Sequence, residues 1–162
     1  MTVSDSVVVA VAPEAVYEAV ADPTRTGEWS PENLGARVEG DARPGPLPVG
    51  TTFVGRNRRR GMRWSTRCRV IDAVPGRSFA FRVEAIGLRT PRLSVPIATW
   101  YYDLEPADGG TKVTETWEDN RKSWSDARAA RFDRIATGST FAEFQTRNIA
   151  TTLARLKAAL ER

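Results

Sequence analysis

The last 24 residues, Ser139 to Arg162, set Phe141, Phe144, Ile149, Leu153, Leu156 and Leu160 along one stripe at helical spacing. Gly138 precedes the stretch, Ser139 or Thr140 can cap it, and Glu143 falls in the first turns, where the helix dipole favours negative charge. At about 1.5 Å per residue this helix would run roughly 34 Å, the span of a small domain. Its apolar stripe must therefore lie across most of what the other residues build, and those residues read almost entirely as strands. One long helix closing an antiparallel sheet leaves a concave space between the two. That space is the first candidate for function.

Upstream, Val3 to Val11 is β-branched enough for a first strand, and Pro13 stands where proline suits the first turn of a helix, Pro13 to Ala21. Asp22-Pro23 ends it, because the residue before a proline is pushed out of the helical region. A second helical turn is expected over Thr24 to Trp29. Ser30 to Gly50, with four prolines and four glycines, reads as irregular structure at a rim with a short strand at Ala36 to Glu39. From Thr51 the period changes to two, giving strands at Thr51 to Arg60, Arg63 to Val74, Ser78 to Ile86, Leu93 to Leu104 and Thr111 to Asp119. Pro75-Gly76 and Ala107 to Gly110 supply turn residues, so neighbouring strands should be antiparallel. Arg121 to Thr137 is longer than a direct link to the last helix needs, and Ser125 to Ile135 can form a further short helix.

Composition narrows the chemistry. There is no histidine, which removes Ser-His-Asp and Cys-His mechanisms and the usual general base near neutral pH. A zinc site would need carboxylates alone, and the single cysteine, Cys68, excludes an internal disulfide. Cys68 is read as a buried inert thiol, and no metal is expected. With 162 residues, 41% of them hydrophobic, one domain spanning 1–162 can bury a substantial core. No stretch approaches the roughly 18 apolar residues of a membrane span, and Val7 to Val11 is too short for a signal-peptide core, so a cytoplasmic protein is expected. The net charge of +4 is spread diffusely. Its one cluster, Arg56, Arg58, Arg59, Arg60 and Arg63, marks a hairpin tip, and a solvated, edge-protecting hairpin is the preferred reading. Contact with an anionic membrane is the weaker alternative. No aromatics interleave with these arginines, so no nucleic-acid partner is expected. Gly109-Gly110-Thr111-Lys112 lacks the upstream glycine and following helix of a phosphate loop.

Strand alternation points to the candidate site. Trp64, Thr66, Cys68 and Val70 share the inward face, as do Phe79, Phe81, Val83 and Ala85. If the last hairpin closes symmetrically, Leu104 faces Val113, Tyr102 faces Glu115 and Trp100 faces Trp117. One carboxylate then stands among aromatic rings on the concave face, partly desolvated and with a raised pKa. Tyr102, its cross-strand partner, could donate a hydrogen bond to it or to a ligand. Trp64, Phe79, Phe81, Trp100 and Trp117 are read as lining from the sheet. The helix would add Phe141, Phe144, Gln145 and Asn148.

The phrases Pro13-Glu14-Ala15-Val16-Tyr17, Ala21-Asp22-Pro23, Trp29-Ser30-Pro31, Leu104-Glu105-Pro106, Gly109 to Glu115 and Thr152 to Lys157 resemble the SRPBCC or START-related superfamily. Within it they are most similar to bacterial polyketide cyclase/dehydrase and lipid-transport-like proteins. The resemblance covers nearly the whole chain. It implies an α+β helix-grip fold, a seven-stranded antiparallel sheet curled around a long C-terminal helix with two short helices after the first strand. It also implies a cavity for a small apolar or amphipathic molecule, with no cofactor. Its motifs mark turns and packing rather than a reaction. Binding of a lipid- or polyketide-like ligand, by a monomer or homodimer, is the first expectation. An aromatase/cyclase-like enzyme using Glu115 and Tyr102 is the second, and a toxin-like or regulatory partner of another protein the third.

Overall fold

The computed structural model describes residues 1–41 and 43–162. Ala42, inside the stretch read as an irregular rim, lies outside the described residues. The chain runs through β1 (Thr2–Val9), α1 (Pro13–Val20), a 3₁₀ helix (Pro23–Glu28), β2 (Asn33–Val38), β3 (Thr52–Arg59) and β4 (Met62–Val74). It continues through β5 (Ser78–Gly87), β6 (Leu93–Ser94), β7 (Ala98–Ala107), β8 (Gly110–Asp119), α2 (Asp126–Thr137) and α3 (Phe141–Leu160). Strands pair in the order β1-β8-β7-β5-β4-β3-β2, and β6 attaches to β5 off this path. Every pairing is antiparallel. This is an α+β helix-grip architecture, with the sheet curled toward α3.

Local chemistry sets the boundaries. The β3–β4 hairpin closes with Arg59 opposite Met62, leaving Arg60 and Gly61 as a two-residue turn with φ of 50° and 83°. Two positive φ values are what a type I′ hairpin demands, and Gly61 supplies one at no steric cost. The strand expected over Leu93 to Leu104 is divided. Pro96 has no amide hydrogen to give to a ladder, so pairing with β5 stops at Ser94 and resumes in β7 at Thr99. Ser125 caps α2 by accepting from the Arg128 amide, and Gly138, at φ 76°, ends it. Thr140 and Glu143 then form a reciprocal capping box at the start of α3.

Two bulges bend β4 against β5, one where the register steps from Arg67–Ala85 to Cys68–Val83, the other where it steps from Val70–Phe81 to Asp72–Ala80. Extra residues of this kind increase local twist and curl a sheet. They also change which side chains face inward. The expectation that Ala85 follows Phe81 and Val83 to the concave face is corrected here: past the bulge at Glu84, Ile86 lies opposite Thr66 and turns inward, while Ala85 pairs with outward-facing Arg67. The core lies between this sheet, α1 and α3, with Val9, Val16, Phe79, Leu104, Val113, Ile149, Leu153 and Leu156 all buried. Ile149, Leu153 and Leu156 are the stripe read from the sequence. No helix among the described residues is long and apolar enough to cross a membrane.

Candidate functional site

Between the concave face and α3 the molecule keeps a cavity of about 430 Å³, within the size range of small-molecule sites. Strands β4, β5, β7 and β8 contribute Trp64, Thr66, Cys68, Phe81, Val83, Ile86, Trp100, Tyr102, Glu115 and Trp117. Helix α3 contributes Phe141, Gln145, Asn148 and Thr152. Of the candidates read from the sequence, these walls bring together Trp64, Phe81, Trp100, Tyr102, Glu115, Trp117, Phe141, Gln145 and Asn148. Two stand apart. Phe79 is buried in the core behind Phe81, its ring 6.2 Å away. Phe144 lies at the helix edge beneath the Arg59 guanidinium, 4.0 Å from its ring centroid.

The β7–β8 hairpin has the symmetric register, pairing Trp100 with Trp117, Tyr102 with Glu115 and Leu104 with Val113. Glu115 is 2% exposed. The Tyr102 hydroxyl donates to its Oε1 at 2.9 Å, while Oε2 has no hydrogen-bond partner. Burial pushes the Glu115 carboxyl up to about 8 against the opposing pull of the tyrosine bond. The carboxyl is therefore neutral around pH 7, because desolvation penalises the charged form and no cation faces it. Burial likewise holds the Tyr102 phenol well above its ordinary value. Across the cavity, the Asn148 amide nitrogen donates to Gln145 Oε1 at 3.1 Å, and its Oδ1 is buried without a partner. Gln145, Asn148 and Thr152 recur at i, i+3 and i+7, one face of α3. That spacing was the signal that could have added Thr152 to the candidate set. Cys68 is fully buried, and burial raises its thiol to about 12, so it is no nucleophile.

The mouth is built by residues that period-two reading could not assign. Arg59 is not a solvated hairpin arginine like its neighbours Arg58 and Arg60. Its side chain is 10% exposed, pairs with Glu32, donates to the Ala136 carbonyl at 3.2 Å and lies 5.1 Å from the Trp64 ring centroid. It thereby ties the β3–β4 hairpin to α2, whose Phe132 and Ala136 line the opening. A second clamp holds α2 from below. Arg121, with its side chain 2% exposed, donates to Asp119 at 2.8 Å and to Asp133 at 2.7 Å. Asp133 also accepts the Phe141 backbone amide at 3.2 Å. The rings of Trp117, Phe141 and Phe132 stack in succession at 5.7 and 6.2 Å, with the Arg121 guanidinium 4.7 Å from Phe141. Nothing in strand or helix periodicity separates Arg59 and Arg121 from the other arginines.

A larger groove of about 560 Å³ lies elsewhere, along Arg77, Ser78, Asp103, Glu105 and Thr114. Its walls mix polar side chains with the apolar Val74 and Leu104, and it holds no orphaned buried group among the described residues. No cluster of three or more potential metal ligands occurs among the described residues.

The family model described as polyketide cyclase/dehydrase and lipid transport matches residues 1–161. Among solved structures, the solution structure of the polyketide-cyclase-like protein Cgl2372 from Corynebacterium glutamicum is 34% identical, covers 99% of this chain and 89% of its own, and superposes with a TM-score of 0.54. The crystal structure of protein NE0264 from Nitrosomonas europaea is 16% identical over 99% and 94% of the two chains, with a TM-score of 0.69. The Aha1 dimer from Colwellia psychrerythraea is 17% identical over 99% and 96%, with a TM-score of 0.61. The last two likenesses concern the fold alone. Among curated proteins none matches the sequence.

Proposed function

Because this chain belongs to the polyketide cyclase/dehydrase and lipid-transport family, we propose that it binds a small apolar or amphipathic molecule, lipid- or polyketide-like, in the cavity between the sheet and α3. The observation that carries this reading is the unfilled volume itself. Close packing is the rule in protein interiors, yet about 430 Å³ stays open between mostly aromatic and aliphatic walls, with Tyr102, Glu115, Gln145 and Asn148 as polar groups among them. Apolar walls with a few convergent polar groups are the usual composition of a ligand pocket. The proposal includes a cytoplasmic site of action. Three tryptophans, Trp64, Trp100 and Trp117, line the space and report on its filling. An apolar dye should quench their fluorescence saturably at micromolar concentration; a linear, non-saturating response would show that side chains close the cavity in solution.

The hydrogen-bonded pair Tyr102–Glu115 supports a second reading, in which the bound chain is cyclised or dehydrated. A buried carboxyl that carries its proton near neutral pH is equipped for general acid-base work. In that case Glu115→Gln would lower the rate about a hundredfold to ten-thousandfold while the substrate still binds. Loss of affinity without loss of turnover would leave the binder reading alone.

A further inference from the structure

We propose, building on the binding reading above, that the cavity's ligand carries a neutral hydroxyl which seats between Glu115 and Asn148, and that a carboxylate is rejected at that pole. Two observations point there. Glu115 Oε2 and Asn148 Oδ1 are the buried side-chain polar atoms left without a partner among the described residues, and both residues line the same cavity. They are 2% and 8% exposed, so bulk water does not serve them, and an unsatisfied buried polar atom carries the full desolvation penalty. Of the neighbouring donors, the Tyr102 hydroxyl is bonded to Glu115 Oε1 and one Asn148 amide hydrogen to Gln145 Oε1, while the Gln145 amide group and the Thr152 hydroxyl stay open to a ligand.

The charges around this pole decide what it accepts. Tyr102 on β7 is the titratable group bonded to Glu115, and Asp5, opposite it on β1, is exposed at the sheet edge. Cys68 on β4 is a neutral thiol, and α3 presents Gln145, Asn148 and Thr152, none of which titrates. The nearest cationic groups of the cavity system, Arg59 at the mouth and Arg121 beneath α2, are held by Glu32 and by Asp119 and Asp133. With its Oε1 receiving the tyrosine proton, neutral Glu115 offers the Oε2 hydroxyl as a donor, while Asn148 Oδ1 remains an acceptor. One donor and one acceptor facing the same cavity from opposite walls are the complement of a hydroxyl, which gives one hydrogen bond and receives another. A carboxylate brings acceptors only, would leave Asn148 Oδ1 unpaired, and would bury a charge with no free cation to meet it. A hydrocarbon leaves both atoms orphaned.

The test is calorimetric titration of the full chain with four probes of one shape: naphthylmethanol, methylnaphthalene, naphthoate and naphthylmethylamine. At pH about 6, below the Glu115 value of about 8, naphthylmethanol should bind at least about tenfold tighter than methylnaphthalene and naphthoate. Raising the pH to about 10 should weaken naphthoate further while the alcohol keeps its advantage over methylnaphthalene, because ionised Glu115 repels a second carboxylate but still accepts from a hydroxyl. Asn148→Leu and Glu115→Leu should each bring the alcohol and the hydrocarbon to within about threefold of one another. The wild-type series decides the matter even if a variant fails to fold. Naphthoate binding as tightly as the alcohol overturns the proposal, and so does naphthylmethylamine binding tightest, which would make the pole a cation site. Equal binding of the alcohol and the hydrocarbon defeats this inference and leaves the binding reading intact. Binding by none of the four defeats both.

Discussion

At the scale of single residues, Glu115 couples the site to stability. Its folded-state carboxyl titrates at about 8 because of burial, whereas in the unfolded chain it titrates near its ordinary value of 4.5. Between those two values the folded state binds the extra proton, so stability falls as pH rises across the window. The contribution is fully present below about 4.5 and is lost as pH climbs through about 8. Glu115→Gln removes the titration while keeping the shape. Its stability relative to the wild type should therefore increase between pH 5 and pH 9, by on the order of a few kcal/mol, read from urea midpoints at each pH. Parallel pH profiles for the two proteins would mean that Glu115 is hydrated and ionised throughout. The placement of this residue was legible in the sequence, because the turn Ala107 to Gly110 fixes the hairpin register and the register fixes the face. The state of Asn148 was not, since whether Oδ1 finds a partner depends on side-chain geometry that spacing does not carry.

At the scale of elements, α3 and the hairpins were legible because each has a strong period and chemically marked ends, such as the capping box at Thr140 and Glu143. The departures have local causes. Pro96 divided one expected strand, and the bulge at Glu84 exchanged Ala85 for Ile86 on the concave face. A bulge adds one residue without a composition signal, so alternation fails silently beyond it. The role of α2 was equally hidden, because its position depends on Arg121, and a buried arginine looks like any other in a chain with many. Arg121→Met should cost about 3–5 kcal/mol, since buried Asp133 and half-buried Asp119 would be left without their cation. Chemical denaturation measures this; a loss below about 1 kcal/mol would indicate that α2 is held by its aromatic stack alone.

At the scale of the whole molecule, a sheet bent by two bulges and packed along α3 leaves its own concavity unfilled. The open volume is therefore a property of the fold, and the selectivity proposed for it would come from its walls. The aromatic walls follow from period-two patterning, and the polar pole from the coincidence of β8 and one face of α3. The mouth, clamped by Arg59 to Glu32 and to α2, comes from long-range contacts that a linear reading lacks. Native mass spectrometry of the purified chain, with extraction and identification of co-purifying small molecules, shows whether the cavity holds a ligand. The expected result is a one-to-one complex with an apolar or amphipathic compound that gentle activation releases, and that an added apolar dye displaces. A bare protein mass that stays bare after incubation with such compounds at micromolar concentration would contradict it.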